Sequence, residues 1–304
     1  MVTQLSDRIP AEANRAALGI IAGGGILPAQ VAAAAQAAGR AVFVVGLEGF
    51  ADPSVLAPFP HAILRMGAAG HILAALRAHG CRDLLMIGPV KRPSLLHLRP
   101  DAEGARLLAR LGLAAFKGDD GLLAAVIRLL EDEGFAVIGA HEVLSEILAP
   151  AGAMSRAAPD AQALADIARG VGVARLLGQA DVGQGCVVQQ GLVLAVEAIE
   201  GTDAMLARCG ALRREGPGGV LVKLAKPGQE RRADLPTVGP ETVRNAARAG
   251  LRGLAFEAGS TILAQREALV AEADAVGLFL YGFNPDGFAP GADVRTSISE
   301  GTAP

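Results

Sequence analysis

The chain holds little from which a disulfide or metal framework could be built. Its three cysteines, Cys81, Cys186 and Cys209, lie far apart and form no CxxC pair. Such spacing suits neither a disulfide scaffold nor a thiolate metal site, and it points to buried thiols in a reducing compartment. The five histidines, His61, His71, His79, His97 and His141, are as scattered, without an HxxxH pair. Positive charge is not in excess either: the net charge is −3 and the pI about 6.0. A nucleic-acid groove needs a basic face, so no nucleic-acid partner is expected. Long apolar runs are missing too, since none approaches the ~20 residues of a membrane-spanning helix. The stretch AALGIIAGGGILPAQVAAAAQAAG (16–39) imitates a secretory signal, but three glycines and a proline interrupt it. It reads instead as a strand, a turn and a helix, in a soluble cytoplasmic protein.

What the chain has in quantity is apolar residues, 51% of 304. That length exceeds a usual domain of ~100–200 residues, so two domains are expected. Over 16–148, apolar runs at 17–23, 41–47, 84–90 and 135–140 alternate with helical stretches reaching Ala38, around Ile72–His79, and near 103–115 and 120–133. This alternation predicts βαβ units, a parallel sheet and a Rossmann-like nucleotide-binding domain. Residues 149–160, rich in Pro, Ala and Gly, read as a linker. A second α/β domain is expected over 161–283, with a helix at about 161–177, a hairpin around Gln190-Gly191, a helix from Gly201-Thr202-Asp203 and a strand at 220–225. A helix at 240–249, a strand in LAFEAG, a helix over 261–273 and a strand at 277–283 complete it. Residues 284–304 read as a frayed tail.

Ligands of parallel sheets sit beyond the carboxyl ends of the strands. Glycines stand there: Gly23-Gly24-Gly25, Gly46, Gly88 before Pro89-Val90-Lys91, and Gly139. A glycine loop opening a helix presents N–H groups to an anion. Here Pro28 occupies the third glycine position of the dinucleotide fingerprint, and Glu48 stands where a ribose-binding acid could lie. In GDDGLL, Asp119 and Asp120 precede an apolar helix; a cap explains them, and a sugar hydroxyl or a metal-bound water is the functional alternative. In EAIEGTDAM, Thr202 or Asp203 also reads as a cap. Glu197 does not, because it ends the apolar run Leu194-Ala195-Val196 and is drawn inward. A buried carboxylate needs a partner, and a lysine, an arginine or a hard metal ion would serve.

The segment KLAKPGQERRADLPTVGPETV (223–243) gathers two lysines, two arginines, two glutamates and an aspartate, in a chain only 19% charged. Pro227, Pro236 and Pro240 fix backbone φ, so the segment is stiffer than a solvated loop. Cations beside carboxylates are what a pyrophosphate–metal site requires.

Taken in order, IAGGGILP, GDDGLL, GAHEVL, VLAVEAIEGTD and KPGQERRADLPTVGPETV are similar to the motifs of one family. The chain resembles the Mg²⁺-dependent UDP-2,3-diacylglucosamine pyrophosphatases of lipid A synthesis, which are unrelated to the calcineurin-like phosphoesterases of the same step. The resemblance covers about residues 16–283. It implies hydrolysis of UDP-2,3-diacylglucosamine to UMP and 2,3-diacylglucosamine 1-phosphate, by water attacking the β-phosphorus, with the lipid between a nucleotide-like domain and a second domain. It also implies Mg²⁺ as cofactor and Asp234, in DLPT, as the essential residue that holds the metal or orients the water. Around it, Lys223, Lys226 and Arg231 are expected at the phosphates, Glu197 and Asp203 with Asp234 at the metal, and Thr202 at the substrate. Gly23, Gly24, Gly25, Lys91, Asp119 and Asp120 would contact the nucleotide portion. The family often has Asp where Glu230 stands, so Glu230 is not expected to be essential. A transient contact with the inner-membrane surface, on its cytoplasmic face, and a homodimer are further expectations. Two rivals remain open on the residues: an NAD(P)-dependent oxidoreductase built on IAGGG and Glu48, and a non-catalytic binder of nucleotide sugars.

Overall fold

In the computed structural model, residues 16–91, 98–112 and 119–288 are described, and the chain divides into two compact units, 1–145 and 146–304. In the first unit the order is β1 (Ala17–Ala22), α1 (Leu27–Ala37), β2 (Val42–Leu47), α2 (Pro53–Leu56), β3 (His61–Leu64), α3 (Ala69–Ala78), β4 (Cys81–Ile87), α4 (Ala102–Leu111), α5 (Asp119–Asp132), β5 (Ala136–Val137) and α6 (Ala140–Val143). The five strands form one sheet in the order β3-β2-β1-β4-β5, and every pairing is parallel. This is the strand order of a Rossmann-like half-sheet, whose direction of winding reverses between β1 and β4. All six residues of β2 are buried, as expected of a strand covered on both faces. β3, HAIL, is partly exposed along its length and too short for a periodicity to mark it.

The second unit follows with β6 (Gly152–Ala153), α7 (Ala161–Gln179), β7 (Gly185–Gln189), β8 (Leu192–Val196), α8 (Gly201–Cys209), β9 (Val220–Lys223), β10 (Thr237–Val238), α9 (Pro240–Arg248), β11 (Gly253–Glu257), β12 (Ile262–Leu263), α10 (Arg266–Val276) and β13 (Phe279–Phe283). Six of these strands make a mixed sheet in the order β6-β13-β11-β9-β7-β8, while β10 and β12 pair separately in parallel. β9, β11 and β13 run parallel to one another, and β7 runs antiparallel to both β9 and β8. One face of the sheet packs Val187, Ala195, Leu221, Leu254 and Phe256 with Met205, Val243 and Leu269 from α8, α9 and α10. The other packs Val188, Val220, Val222 and Ala255 with Ile167 and Val171 from α7. Strand alternation therefore decides which helix layer each polar residue at a strand end will meet.

Three stretches depart from the sequence reading. The stretch expected as a linker contributes β6, which pairs antiparallel with β13. The helix expected over 261–273 begins at Arg266, because Ile262 and Leu263 are taken up by pairing with β10 and Gln265 adopts φ 51°. In the expected tail, Pro285–Phe288 forms a turn in which Phe288 is buried edge-on against Phe283. The hairpin falls where the sequence marks it: Gln190 and Gly191 have φ of 52° and 77°, the pair of positive values that a two-residue turn needs.

Candidate active site

At the reversal point of the first unit, the glycine loop is closed on its own backbone. Gly23 N–H donates to Ile87 O at 2.9 Å and Gly24 N–H to Pro89 O at 3.0 Å. A Cβ on Gly23 would stand 2.4 Å from Gly88 O, and one on Gly88 would stand 2.6 Å from Gly24 O. These glycines thus let the ends of β1 and β4 approach each other. Sequence reasoning reserves that freedom for a ligand, but two of the three loop N–H groups are already satisfied. Gly25 and Ile26, at the start of α1, are exposed. Pro28 occupies the first turn of α1, where its missing N–H costs nothing. Lys91 is exposed beyond β4, and Glu48 is exposed just after β2. Asp119 and Asp120 open α5, but their side chains lie outside the described residues.

The second unit brings a buried lysine and a buried glutamate together at one edge of its sheet. Lys223 ends β9, Glu197 follows β8, and Gly185 begins β7 between them. The register pairs Gly185 with Lys223, and Glu197 N–H donates to Gly185 O at 2.8 Å. Lys223 lies two residues after Leu221 and Glu197 two after Ala195, so both side chains point to the face carrying α8. There the Lys223 ammonium donates to Thr202 Oγ1 at 2.7 Å, and the Thr202 hydroxyl donates to Glu197 Oε1 at 2.7 Å. Lys223 Nζ is 4.0 Å from the same carboxylate oxygen. Lys223 is 4% and Glu197 6% exposed, which makes them an ion pair removed from water. The partner that the sequence demands for a buried Glu197 is therefore a lysine, reached largely through a threonine.

Asp234 stands in the loop that follows β9. Its Oδ2 accepts from Gln229 Nε2 at 2.6 Å, and its N–H donates to Glu230 O at 2.9 Å. Gln229 is buried; its amide oxygen accepts from Lys226 N–H at 2.9 Å, and its Nε2 lies 3.4 Å from Gln184 Oε1. Gln184 precedes Gly185, so the amides of Gln229 and Gln184 link the Asp234 loop to the strand edge that carries Lys223 and Glu197. Sequence reasoning missed both glutamines, since an uncharged amide carries no chemistry of its own; the turn Pro227-Gly228 before Gln229 is the only local signal. Glu257, at the end of β11, accepts from Ala225 N–H at 3.1 Å and fixes the start of the same loop.

The other expected site residues are engaged elsewhere. Lys226 Nζ pairs with Asp181 at 2.8 Å. Arg231 donates to Ser260 Oγ at 2.6 Å and to Gly259 O at 3.1 Å, which ties the loop to the turn after β11. Asp203 is exposed and accepts from Asn245 Nδ2 of α9 at 2.9 Å. Arg232 grips Glu230 and holds its carboxyl below the usual carboxylate range. Glu197, Asp203 and Asp234 are not drawn to one point: among the described residues no three His, Cys, Asp or Glu side chains cluster to hold a metal.

The fold is that of a two-unit α/β protein, with a parallel half-sheet in one unit and, in the other, a mixed sheet whose edge gathers a buried lysine–carboxylate pair and a proline-stiffened aspartate loop. Comparison with known proteins gives the family. Residues 17–147 match the model of the LpxI N-terminal domain and residues 150–281 that of the LpxI C-terminal domain. The UDP-2,3-diacylglucosamine pyrophosphatase LpxI of Caulobacter vibrioides is 49% identical over 274 residues, covering 88% of this chain and 98% of the relative. The chain belongs to the LpxI family.

Proposed function

We infer that the chain hydrolyses the pyrophosphate of UDP-2,3-diacylglucosamine, releasing UMP and 2,3-diacylglucosamine 1-phosphate for lipid A synthesis. The observation that carries this reading is the 49% identity to the Caulobacter pyrophosphatase along almost its whole length. Neither an oxidoreductase nor a non-catalytic binder has comparable support.

Gln229 holds one oxygen of the Asp234 carboxylate. The other, Oδ1, accepts an O–H of the attacking water and aligns it on the β-phosphorus. The new bond joins the water oxygen to that phosphorus, the bond to the bridging oxygen breaks, UMP leaves with that oxygen, and the proton lost by the water is released to solvent. Lys223 is the cation placed to meet the negative charge that builds on the pyrophosphate oxygens. The tethers on Lys226 and Arg231 give these residues a different part, which is to hold the loop in place. Mg²⁺ needs only one or two protein carboxylates beside phosphates and waters, and Asp234 fits that need. Glu197, with Oε1 on Thr202 and Oε2 against Gly185, does not; Asp203, exposed and bonded to Asn245 through one oxygen, remains a second candidate. When bound, Mg²⁺ would neutralise phosphate charge.

Among the described residues no helix is long and apolar enough to cross a membrane. The reading therefore has the enzyme meet its amphiphilic substrate at the cytoplasmic surface of the inner membrane, and a homodimer belongs to the same proposal. The direct test is UMP release from UDP-2,3-diacylglucosamine with and without Mg²⁺, by the wild type and by Asp234→Ala. Metal-dependent release that is lost in the variant is the expected result; undiminished release by Asp234→Ala would overturn the assignment.

A further inference from the structure

We propose that Glu197 and Thr202 are positioning residues that aim the Lys223 ammonium at the substrate's pyrophosphate, and that Glu197 is not a metal ligand. The proposal rests on the hydrolytic reading above.

Burying a lysine is costly unless a counter-charge and hydrogen bonds accompany it. Lys223 has both, but in an unusual order: a hydroxyl stands between ammonium and carboxylate, with contacts of 2.7 Å on each side. Thr202 can bridge in this way only with a fixed proton, donated to Glu197 while the lone pairs face Lys223. The carboxylate thus sets the direction of the hydroxyl, and the hydroxyl sets the direction of the ammonium. Among the described residues the ammonium makes this one hydrogen bond, which leaves N–H capacity for an acceptor from a ligand. Its position at the carboxyl end of a parallel strand, beside the N-terminus of α8, favours an anionic one.

Glu197 Oε2 supplies the second observation. It is buried without a hydrogen-bond partner among the described residues. It is pressed against Gly185, where a Cβ would lie 2.7 Å away. With Oε1 taken by Thr202 and Oε2 against Gly185, neither oxygen is turned toward a metal. The carboxylate is held beneath the strand edge as a fixed negative charge whose effect reaches the substrate through Lys223. Such an arrangement costs stability, and its return is a cation oriented before the substrate arrives.

The test compares Glu197→Gln, Thr202→Val, Thr202→Ser, Lys223→Met and the double variant Glu197→Gln/Lys223→Met with the wild type. UMP release is measured at varied Mg²⁺, and UDP binding is measured by calorimetry without added metal. Far-ultraviolet circular dichroism selects the folded variants, and the Thr202 pair serves if the buried pair cannot be altered without unfolding. Lys223→Met is expected to lose on the order of 10²–10³ in kcat/KM. Glu197→Gln and Thr202→Val are expected to lose about 10- to 100-fold, in kcat rather than KM, and to bind UDP more weakly. Thr202→Ser, which keeps the hydroxyl, should restore both. The Mg²⁺ concentration for half-maximal rate should stay unchanged in Glu197→Gln, and the double variant should be no worse than Lys223→Met. A shifted Mg²⁺ requirement, additive losses or a fully active Thr202→Val would each overturn the proposal. If the wild type released no UMP, the reaction assignment would fail, while UDP calorimetry on the same variants would still decide the positioning role.

Discussion

The two sheets end in opposite ways. At the carboxyl edge of β1 and β4, Gly23, Gly24 and Gly88 have no side chains and the backbone closes on itself. At the corresponding edge of the second unit, Lys223, Glu197, Thr202 and Asp234 are side chains held in place by one another, by Gln229 and by the register of β7, β8 and β9. One edge is shaped by what its residues lack, the other by what they carry. Substitutions at the first should therefore act on folding, and substitutions at the second on chemistry.

The sharpest separation is expected from Asp234. If its carboxylate aligns the water, Asp234→Ala should cost at least about 10³ in kcat, with each factor of ten worth ~1.4 kcal/mol. The melting curve should move much less, by about 1 kcal/mol, because Asp234 is only partly buried and Gln229 Nε2 keeps Gln184 Oε1 within reach. A melting point lowered in proportion to activity would erase the contrast between the edges.

The mirror experiment is Gly23→Ala. The added methyl would meet Gly88 O at 2.4 Å, and Gly88 is itself held at φ 99°, so neither strand end can retreat freely. A loss of about 2–3 kcal/mol is expected, confined to the first unit. The cysteines report on each unit separately. Cys81 lies in β4 and Cys186 in β7, and burial pushes their thiols up to about 11 and about 12, so neither should react at pH 8 while folded. Gly23→Ala should raise the alkylation rate of Cys81 and leave that of Cys186 unchanged; equal rises would show that the clash is not local.

A third substitution probes a carboxylate of the second unit that serves folding alone. Asp166, 1% exposed in α7, accepts from the N–H groups of Gln190 at 3.0 Å and Gly191 at 2.7 Å, and so fixes the β7–β8 turn from the helix packed against it. Asp166→Ala removes both bonds from an exposed turn whose N–H groups can bond water instead, and should cost about 1 kcal/mol, read from a urea curve. The kcat of the molecules that remain folded should not change.

How much of this was legible follows from side-chain type and run length. β1, β2 and β4 show in the sequence because strands buried on both faces need continuous apolar runs. β6, β10 and β12 span two residues each, too few for any periodicity, and they exist because a neighbouring strand pairs with them. Within the site, Glu197 was legible as a buried acid in need of a partner, because it ends an apolar run. The identity of the partner was not, since Lys223 lies across β7 and is joined through a hydroxyl that reads locally as a helix cap. Asp234 is singled out by family resemblance; its charged neighbours hide it, and only three-dimensional contacts separate the tethered Arg231, Lys226 and Glu230 from a side chain with an oxygen to spare.

Glu230 gives the smallest expected effect and the strictest control, being four residues from Asp234 in the same loop. The hydrogen bonds from Arg232 lower its pKa below the ordinary 4.5, against a smaller opposing effect of burial. A carboxylate whose pKa is lowered by folding adds stability above its unfolded pKa, and that contribution is lost as pH falls through the folded value. Both partners keep partial contact with water, so the pair should be worth less than about 1 kcal/mol. Glu230→Gln should accordingly leave stability near pH 3 almost unchanged relative to the wild type, and lower it slightly at pH 7. UMP release should stay within about threefold, since the backbone bond from Asp234 N–H to Glu230 O does not need the carboxylate. A loss approaching that of Asp234→Ala would mean that the loop works as one charged unit, and the division between tethering and reacting side chains would have to be redrawn.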